Sequence, residues 1–183
     1  SSSLSSLYLK TATDGYQWRF MYTIPAATYT KFTSNNYIPV VAHANASGNA
    51  INGALDAFVV SNSGNNYNEF ANGSVVLGTN GMLFTINSTS FTLSGNNDFY
   101  NNCSIYFTAG TSNGEIREIT DYVSNSTGKF VTVNTAFSST PDSTSKFEIT
   151  PTVRIKGDGS NAIARALINT STNTVANIQV LQR

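Results

Sequence analysis

Residues 16–24 read YQWRFMYTI and carry the clearest β-strand pattern in the chain. Successive side chains of a strand point to opposite faces, so this stretch places five large apolar or aromatic groups on one face. The opposite face is mostly polar, and the apolar face needs a covering layer of structure. We predict that it forms a structural core motif made of Tyr16, Trp18, Phe20, Tyr22 and Ile24.

The residues that follow this strand predict the one helix that we expect in the chain. Pro25 suits the first position of a helix, and residues 26–32 are long enough for one or two turns. Residues 37–41, YIPVV, are predicted to be extended, because the residue before Pro39 is disfavoured in a helix.

Beyond Asn45, clusters of Asn, Gly and Ser separate short apolar runs. Asn-Gly pairs begin at Asn52, Asn72, Asn80 and Asn113, and such pairs supply the positive φ angles of tight hairpin turns. The candidate strands between the turns are 56–61, 74–77, 82–86, 90–93, 103–108, 115–123, 129–133, 146–149, 152–156, 162–169 and 175–180. The pattern predicts an all-β fold, mainly an antiparallel sandwich or stacked sheets, with at most one or two short helices.

The chain divides by pattern into three segments. Residues 1–45 are expected to form a strand-helix-strand segment, residues 46–95 a β linker or meander, and residues 96–183 a β module with a GDG hairpin. The first residue is Ser, and Arg183 follows directly on an alternating apolar pattern. We therefore expect a segment of a longer polypeptide.

Composition limits the classes of partner. Lys and Arg together number 10, as do Asp and Glu, and charged residues make up 11% of the chain against about 25% in an average domain. This balance argues against a surface that binds double-stranded nucleic acid, because such a surface needs an excess of Lys and Arg. Apolar runs fall short of the roughly 18 residues of a membrane span, so we expect no membrane partner.

The residues that usually carry catalysis are scarce. Cys103 is the only cysteine and His43 the only histidine, which excludes metal sites that need two or more cysteines or two or more histidines. We assign His43 a structural role and expect no cofactor and no bound metal. GDGS at residues 157–160 is the nearest candidate for a calcium loop, but its alternating flanks favour a reverse turn made of Gly157, Asp158 and Gly159.

Three carboxylates lie close together in NGEIREITDY, residues 113–122. In a regular strand, Glu115 and Asp121 share one face with Arg117, whereas Glu118 points the other way. Glycoside hydrolysis needs two converging carboxyl groups, so local cross-strand pairing of glutamate with arginine on a solvated face is the favoured interpretation. We expect that the protein is not an enzyme; a tail depolymerase, the enzymatic alternative, would need such a converging pair in a cleft.

Aromatic residues leave a second class of function open. Exposed Tyr67, Tyr100 or Tyr106 would provide stacking platforms for sugars, as in a carbohydrate-binding module of a tail fibre or a secreted protein. Most aromatic residues, however, fall at alternating strand positions, where packing in a core is the simpler interpretation.

Three longer segments carry recognisable motifs. Residues 13–40 read TDGYQWRFMYTIPAATYTKFTSNNYIPV. Residues 96–151 open with NNDFY, contain GEIREITDY and close with TPDSTSKFEITP, and residues 153–168 read VRIKGDGSNAIARALI. Together these segments resemble the baseplate wedge subunit of contractile-tailed, T-even-like phages, in the relatives that infect marine bacteria and cyanobacteria.

The resemblance implies a mostly β, non-catalytic structural protein of the virion. It implies a place in the tail baseplate after assembly in the host cytoplasm. The implied partners are other baseplate wedge proteins and a second copy of the chain, as a dimer, without nucleic acid or membrane. No cofactor is implied.

Overall fold

The computed structural model describes residues 8–10, 19–21, 44–51, 54–156 and 160–182. Over these residues the protein is all-β, with antiparallel strand pairs and no helix, so the predicted fold class is confirmed. The chain divides into two compact units, Ser1–Val40 and Val41–Arg183. In the first unit, β1 (Tyr8–Lys10) pairs with β2 (Arg19–Met21).

The described part of the second unit contains ten strands. They are β3 (Asn45–Ile51), β4 (Ala54–Asn62), β5 (Ala71–Gly78), β6 (Leu83–Asn87), β7 (Cys103–Ala109), β8 (Ile116–Asn125), β9 (Gly128–Val133), β10 (Lys146–Pro151), β11 (Ile163–Asn169) and β12 (Thr174–Gln182). β5 to β10 close into a barrel in the order β10-β5-β6-β9-β8-β7. Closure gives each of these strands a hydrogen-bonded neighbour on both sides, which removes the open sheet edges.

The connections of the barrel lie at its two ends. Because all neighbouring strands are antiparallel, residues 88–102, between β6 and β7, cross one end, and residues 134–145, between β9 and β10, cross the other. The barrel thus takes strands from both sides of residue 95. The division into the segments 1–45, 46–95 and 96–183 stays a prediction.

Two hairpins, β3–β4 and β11–β12, complete the second unit. The amide of Val175, at the start of β12, donates a hydrogen bond of 2.8 Å to the carbonyl oxygen of Ser63, just after β4. A single antiparallel bridge between Thr152 and Arg165 links the end of β10 to β11. The Val175 bond, with one from the amide of Tyr67 to the carbonyl oxygen of Asn173, holds the turn of the β11–β12 hairpin beside residues 63–67.

Inward-facing side chains fill the barrel. Phe84, Phe107 and Phe137 form a ring cluster with centroid separations of 4.7 to 6.0 Å. Phe137 comes from the connection between β9 and β10 and covers one end of the core. Each such buried ring contributes roughly 1.5–3 kcal/mol relative to an exposed one. The other large, fully buried side chains include Tyr122, Phe147, Ile105, Ile119 and Ile149.

The predicted turns have mixed outcomes. The Asn113 turn is confirmed, since Gly114 has φ of +85° between β7 and β8. The Asn80 turn is confirmed in place, between β5 and β6, but neither Asn80 nor Gly81 has the predicted positive φ; instead, Asn80 Oδ1 accepts from the amide of Met82 at 2.8 Å. The Asn72 turn is wrong, because that residue lies inside β5. Gly73 is needed there for close packing, since a Cβ at this position would lie 2.1 Å from the carbonyl oxygen of Asn87.

Two predicted strands are also wrong. Residues 90–93 form a loop, because the Ser88 hydroxyl accepts hydrogen bonds from the amides of Ser90 and Phe91 and bends the backbone. Residues 152–156 pair only at Thr152, after which the chain leaves the sheet.

Several predictions fall outside the described residues. These are the core-motif residues Tyr16, Trp18, Tyr22 and Ile24, the turn residues Gly157, Asp158 and Gly159, the helix at residues 26–32, the extended residues 37–41 and the Asn52 turn. Phe20 lies in β2, where only the backbone is described.

Candidate functional site

A cleft of about 310 Å³ lies beside the connection between β6 and β7. Aromatic side chains form part of its wall. Phe70 and Phe91 meet edge to face at 5.2 Å, and Phe99 meets Tyr100 in the same manner at 4.9 Å. The Phe99 side chain is 39% exposed, so part of its ring is open to a ligand.

The floor of this aromatic cleft is fixed to the barrel. Tyr100 packs edge-on against Tyr122 of β8 at 4.7 Å. The Tyr100 hydroxyl accepts from the amide of Ser94 at 3.2 Å, and the Tyr122 hydroxyl donates to the carbonyl oxygen of Ser94 at 2.7 Å. Burial raises the pKa of Tyr100 and raises that of Tyr122 to about 12, so both phenols are neutral at physiological pH.

Two amides form the polar rim of the cleft. Asn173 sits in the β11–β12 turn with φ of 52°, and its Nδ2 donates a hydrogen bond of 2.8 Å to Oδ1 of Asn68. The Asn173 carbonyl oxygen accepts from the amide of Tyr67 at 3.1 Å, which holds the turn in place. This contact uses one N–H of Asn173 and leaves the Asn68 amide nitrogen and the Asn173 amide oxygen for other partners.

The three tyrosines predicted as exposed platforms are all engaged. Tyr100 is 3% exposed, so its prediction as an exposed platform is wrong: the ring belongs to the core. The Tyr67 hydroxyl accepts from the amide of Ala44 at 2.7 Å. The Arg165 guanidinium covers the Tyr106 ring, 4.0 Å from its centroid. Phe70, Phe91 and Phe99 line the cleft together with the buried Tyr100. Of these, Phe99 lies in the NNDFY motif, but no periodicity distinguishes it from a core residue.

Glu115 is held by close partners at the other end of the barrel. It pairs with Arg117 at 2.7 Å and accepts hydrogen bonds from the amide and the hydroxyl of Ser138. Burial raises the pKa of the Glu115 carboxyl, but the Ser138 hydrogen bonds and the Arg117 charge outweigh it, so the pKa lies below its usual range. Glu115 thus pairs with an arginine, as predicted, but the partner lies two residues further along the chain, so the predicted cross-strand geometry is wrong at this residue.

Glu118 is paired separately. Arg154 binds both of its carboxylate oxygens, at 2.9 and 2.6 Å. The predicted face sharing is wrong beyond Ile119, because the register shifts between Ile119 and Asp121. This bulge turns Ile119 into the core and leaves Asp121 exposed.

The chemistry of the lone cysteine is set by its burial. Burial, with smaller contributions from Glu69 and Glu118, raises the pKa of Cys103 to about 12, so the group is a thiol at neutral pH. No group of three or more His, Cys, Asp or Glu residues in the described ranges is arranged to hold a metal ion. His43 lies outside those ranges.

The β5–β6 hairpin carries exposed apolar side chains. Val76, Leu77 and Met82, which we call the hairpin patch, are 55%, 65% and 39% exposed. The strand pairing skips Val76: Val75 pairs with Ile86 and Leu77 with Thr85. This bulge turns Val76 outward while Val75 stays in the core.

No protein-family model, curated protein or solved structure matches this chain. Among the residues that the structure describes, no helix has the length and hydropathy needed to cross a bilayer.

Proposed function

We propose that this protein is a structural component of the baseplate of a contractile phage tail. In this proposal it is a wedge component that acts by protein–protein assembly and not by catalysis. The choice of a baseplate wedge component rests on the resemblance of residues 13–40, 96–151 and 153–168 to that family. The observation that carries the proposal on the structural side is the hairpin patch.

The hairpin patch has the physical character of an assembly surface. Burying a large aliphatic side chain contributes roughly 1.5–3 kcal/mol, so exposed Val76 and Leu77 favour association with a complementary surface. Contiguous exposed apolar residues on soluble proteins commonly mark such interfaces. The chain is 11% charged, so an interface with it desolvates mainly Ser, Thr and Asn, which costs less than desolvating ions.

The barrel suits a mechanical role. Its interior is filled by side chains such as Phe84 and Phe107, both fully buried. Residues 96–151, the second resembling segment, supply β7, β8, β9 and β10 of the barrel. A closed, packed barrel is a rigid support from which the hairpin patch and the loops meet neighbouring subunits.

The partners proposed are other baseplate wedge proteins and a second copy of the chain, as a dimer. Nucleic acid, membrane and cofactor are not part of the proposal. The location proposed is the tail baseplate of the virion, after assembly in the host cytoplasm. Sedimentation velocity of the purified chain tests the dimer: a monomer at micromolar concentration removes the second copy from the proposal.

The chain offers a matched pair of variants for the test. Val76 and Val59 are both strand valines, 55% and 57% exposed, but Val59 lies on β4, outside the hairpin patch. Val76→Asp and Val59→Asp therefore introduce the same charge at the same exposure. Each variant is supplied in trans to a genome that lacks the gene, and its amount per purified particle is measured by quantitative mass spectrometry.

We expect Val76→Asp to enter particles at less than one-tenth of the wild-type level, and Val59→Asp to enter normally. Equal incorporation of both variants would remove the hairpin patch from the proposal. Absence of the wild-type chain from every particle would overturn the proposed function itself.

A further inference from the structure

Asn80 and Gly81, in the turn between β5 and β6, bring an electrophile and a nucleophile together. Among the described residues, Asn-Gly pairs also begin at Asn72 and Asn113. In such a pair the main-chain nitrogen of Gly can attack the side-chain Cγ of Asn, because Gly has no Cβ to hinder the approach. The nitrogen reacts only after it loses its proton, so a hydrogen bond from this N–H protects the pair.

Hydrogen bonds restrain the Gly amides of the other two pairs. The amide of Gly114 donates to the carbonyl oxygen of Phe107 at 2.8 Å. Gly73 lies in the ladder between β5 and β10, where the amide of Val75 donates to the carbonyl oxygen of Ser145 at 3.0 Å. Hydrogen-bonded pairs of antiparallel strands recur at every second residue, so the amide of Gly73 is bonded to β10 as well.

The amide of Gly81, by contrast, donates no hydrogen bond within the described part of the chain. The Asn80 side chain is folded back over the turn, because its Oδ1 accepts from the amides of Met82 at 2.8 Å and Leu83 at 2.9 Å. The ring closed by the Met82 bond contains both Asn80 Cγ and the Gly81 nitrogen. The two amides also face the oxygen on which negative charge develops during the attack, as in an oxyanion hole.

We propose that Asn80 is a site of spontaneous deamidation. The deprotonated Gly81 nitrogen forms a bond to Asn80 Cγ, the Cγ–Nδ2 bond breaks, and Nδ2 leaves as ammonia with the proton that the Gly81 amide lost. Water then opens the five-membered succinimide at either of its carbonyl carbons, which gives aspartate or isoaspartate. One Asn and one water thus yield one acidic residue and one ammonia, without an oxidant or a reductant. This inference is independent of the proposed function, since the chemistry depends on the turn alone.

The products change the turn in two ways. Both place a negative charge between Leu77 and Met82 of the hairpin patch in the chain. Isoaspartate also lengthens the main chain by one methylene group directly before Gly81, whose carbonyl oxygen accepts from the amide of Phe137 at 2.9 Å. Deamidation therefore alters the charge and the main-chain length of the turn that joins the two strands of the hairpin patch.

Peptide mapping by mass spectrometry compares the three sites within one sample. The full chain is incubated at pH 8, folded or in denaturant, in water enriched in the heavy oxygen isotope, which marks each carboxylate formed during the incubation. In the folded chain we expect Asn80 to deamidate at least fivefold faster than Asn113, whose Gly amide must first break a hydrogen bond. We expect Asn72 to be slower still, because opening the barrel ladder disrupts core packing. In denaturant the three rates are expected to converge, since each Asn precedes Gly.

Amide hydrogen exchange tests the unbonded nitrogen directly, because exchange also begins with loss of the amide proton. In NMR spectra of the full chain, we expect the Gly81 amide to exchange at least tenfold faster than the Gly114 amide.

Asn80→Gln and Asn113→Gln are the matched variants, since the longer side chain closes a six-membered ring far more slowly. Ammonia released by each folded variant is measured, and release from the other residues is common to both. We expect Asn80→Gln to lower the release more than Asn113→Gln does. An Asn80 rate equal to or below that of Asn113 in the folded wild type would overturn the proposal. So would a Gly81 amide that exchanges as slowly as the Gly114 amide, or equal ammonia release from the two variants.

Discussion

The Tyr122 hydroxyl donates a hydrogen bond of 2.7 Å to the main-chain carbonyl oxygen of Ser94. The amide of Ser94 in turn donates to the hydroxyl of Tyr100, so two core tyrosines hold both backbone polar groups of one loop residue. Through this bond, strand β8 of the barrel positions the connection that forms one wall of the aromatic cleft. The packing of the barrel and the shape of the cleft are therefore linked through Ser94.

We predict that the free energy of unfolding falls steeply in alkali. Burial raises the pKa of Tyr122 from 10.0 to about 12. Below pH 10 the folded and unfolded states both keep this proton, whereas above it the unfolded state loses the proton first. Stability contributed by this group is thus present below pH 10 and lost toward pH 12, by at most about 1.4 kcal/mol per pH unit.

Urea unfolding of the wild type and Tyr122→Phe at pH 9, 10 and 11 measures this effect. At pH 9 the variant is expected to be about 1–2 kcal/mol less stable, because the Ser94 carbonyl loses its partner. Between pH 10 and 11 its stability is expected to fall less than that of the wild type. Parallel pH profiles for the two proteins would contradict the prediction.

Cys103 is predicted to be inert in the folded protein. Its thiol is buried and its pKa is raised from 9.0 to about 12, which lowers the thiolate fraction roughly a thousandfold. The rate of reaction with a colorimetric disulfide reagent at pH 8 is compared in buffer and in denaturant. Because the chain has one cysteine, the signal comes from this residue alone. Equal rates in the two conditions would place the thiol outside the core.

Two glycines of the β7–β8 turn are predicted to respond differently to alanine. Both have positive φ, +75° at Gly110 and +85° at Gly114, but a Cβ at Gly110 would lie 2.0 Å from the carbonyl oxygen of Thr144. At Gly114 nothing lies within 4 Å of that position. We expect Gly114→Ala to cost about 1 kcal/mol for the backbone conformation alone. Gly110→Ala is expected to cost a further 1–3 kcal/mol, roughly, for the clash.

Thermal and denaturant melts of the two glycine variants test this difference. Similar free energies of unfolding would mean that the segment around Thr144 does not pack against the turn.

Two arginines form ion pairs that we expect to differ in strength. The Arg154 side chain is 64% exposed, so its bidentate pair with Glu118 is largely screened, and Arg154→Ala should cost less than about 1 kcal/mol. Arg165 is 14% exposed, bonds Glu148 at 2.9 Å and Gln179 at 2.7 Å, and covers the Tyr106 ring. Arg165→Ala should cost roughly 1–3 kcal/mol, because it removes a stacked cation and leaves Glu148 without this partner. A larger loss from Arg154→Ala than from Arg165→Ala in denaturant melts would reverse this ranking.

Local pattern predicted much of the strand content of the second unit. The alternation in residues 103–108 and 129–133 matches β7 and β9, because one face of each strand packs into the barrel. Barrel closure was not predictable in the same way. It depends on the pairing of β5 with β10, in which Ser74 lies opposite Lys146. The sequence of neither strand identifies the other as its partner.

The cleft was still harder to predict. It depends on a side-chain turn at Ser88, on the positive φ of Asn173 and on an amide contact between Asn68 and Asn173, residues that are far apart in the chain. The sequence favours tyrosines as stacking residues, but Tyr100 is buried in the core and the Tyr106 ring is covered by Arg165. The exposed aromatic ring at the cleft is that of Phe99.

The location of the protein on a particle tests the central claim most directly. Phage particles are purified from infected cells, in which the chain is expressed from its native gene. The particles are labelled with gold-conjugated antibodies against the folded protein and viewed by negative-stain electron microscopy. The account predicts gold at the distal end of a contractile tail, with tails of a strain lacking the gene as the unlabelled control. Gold along fibres, or particles without label while the protein remains in the soluble fraction, would contradict it.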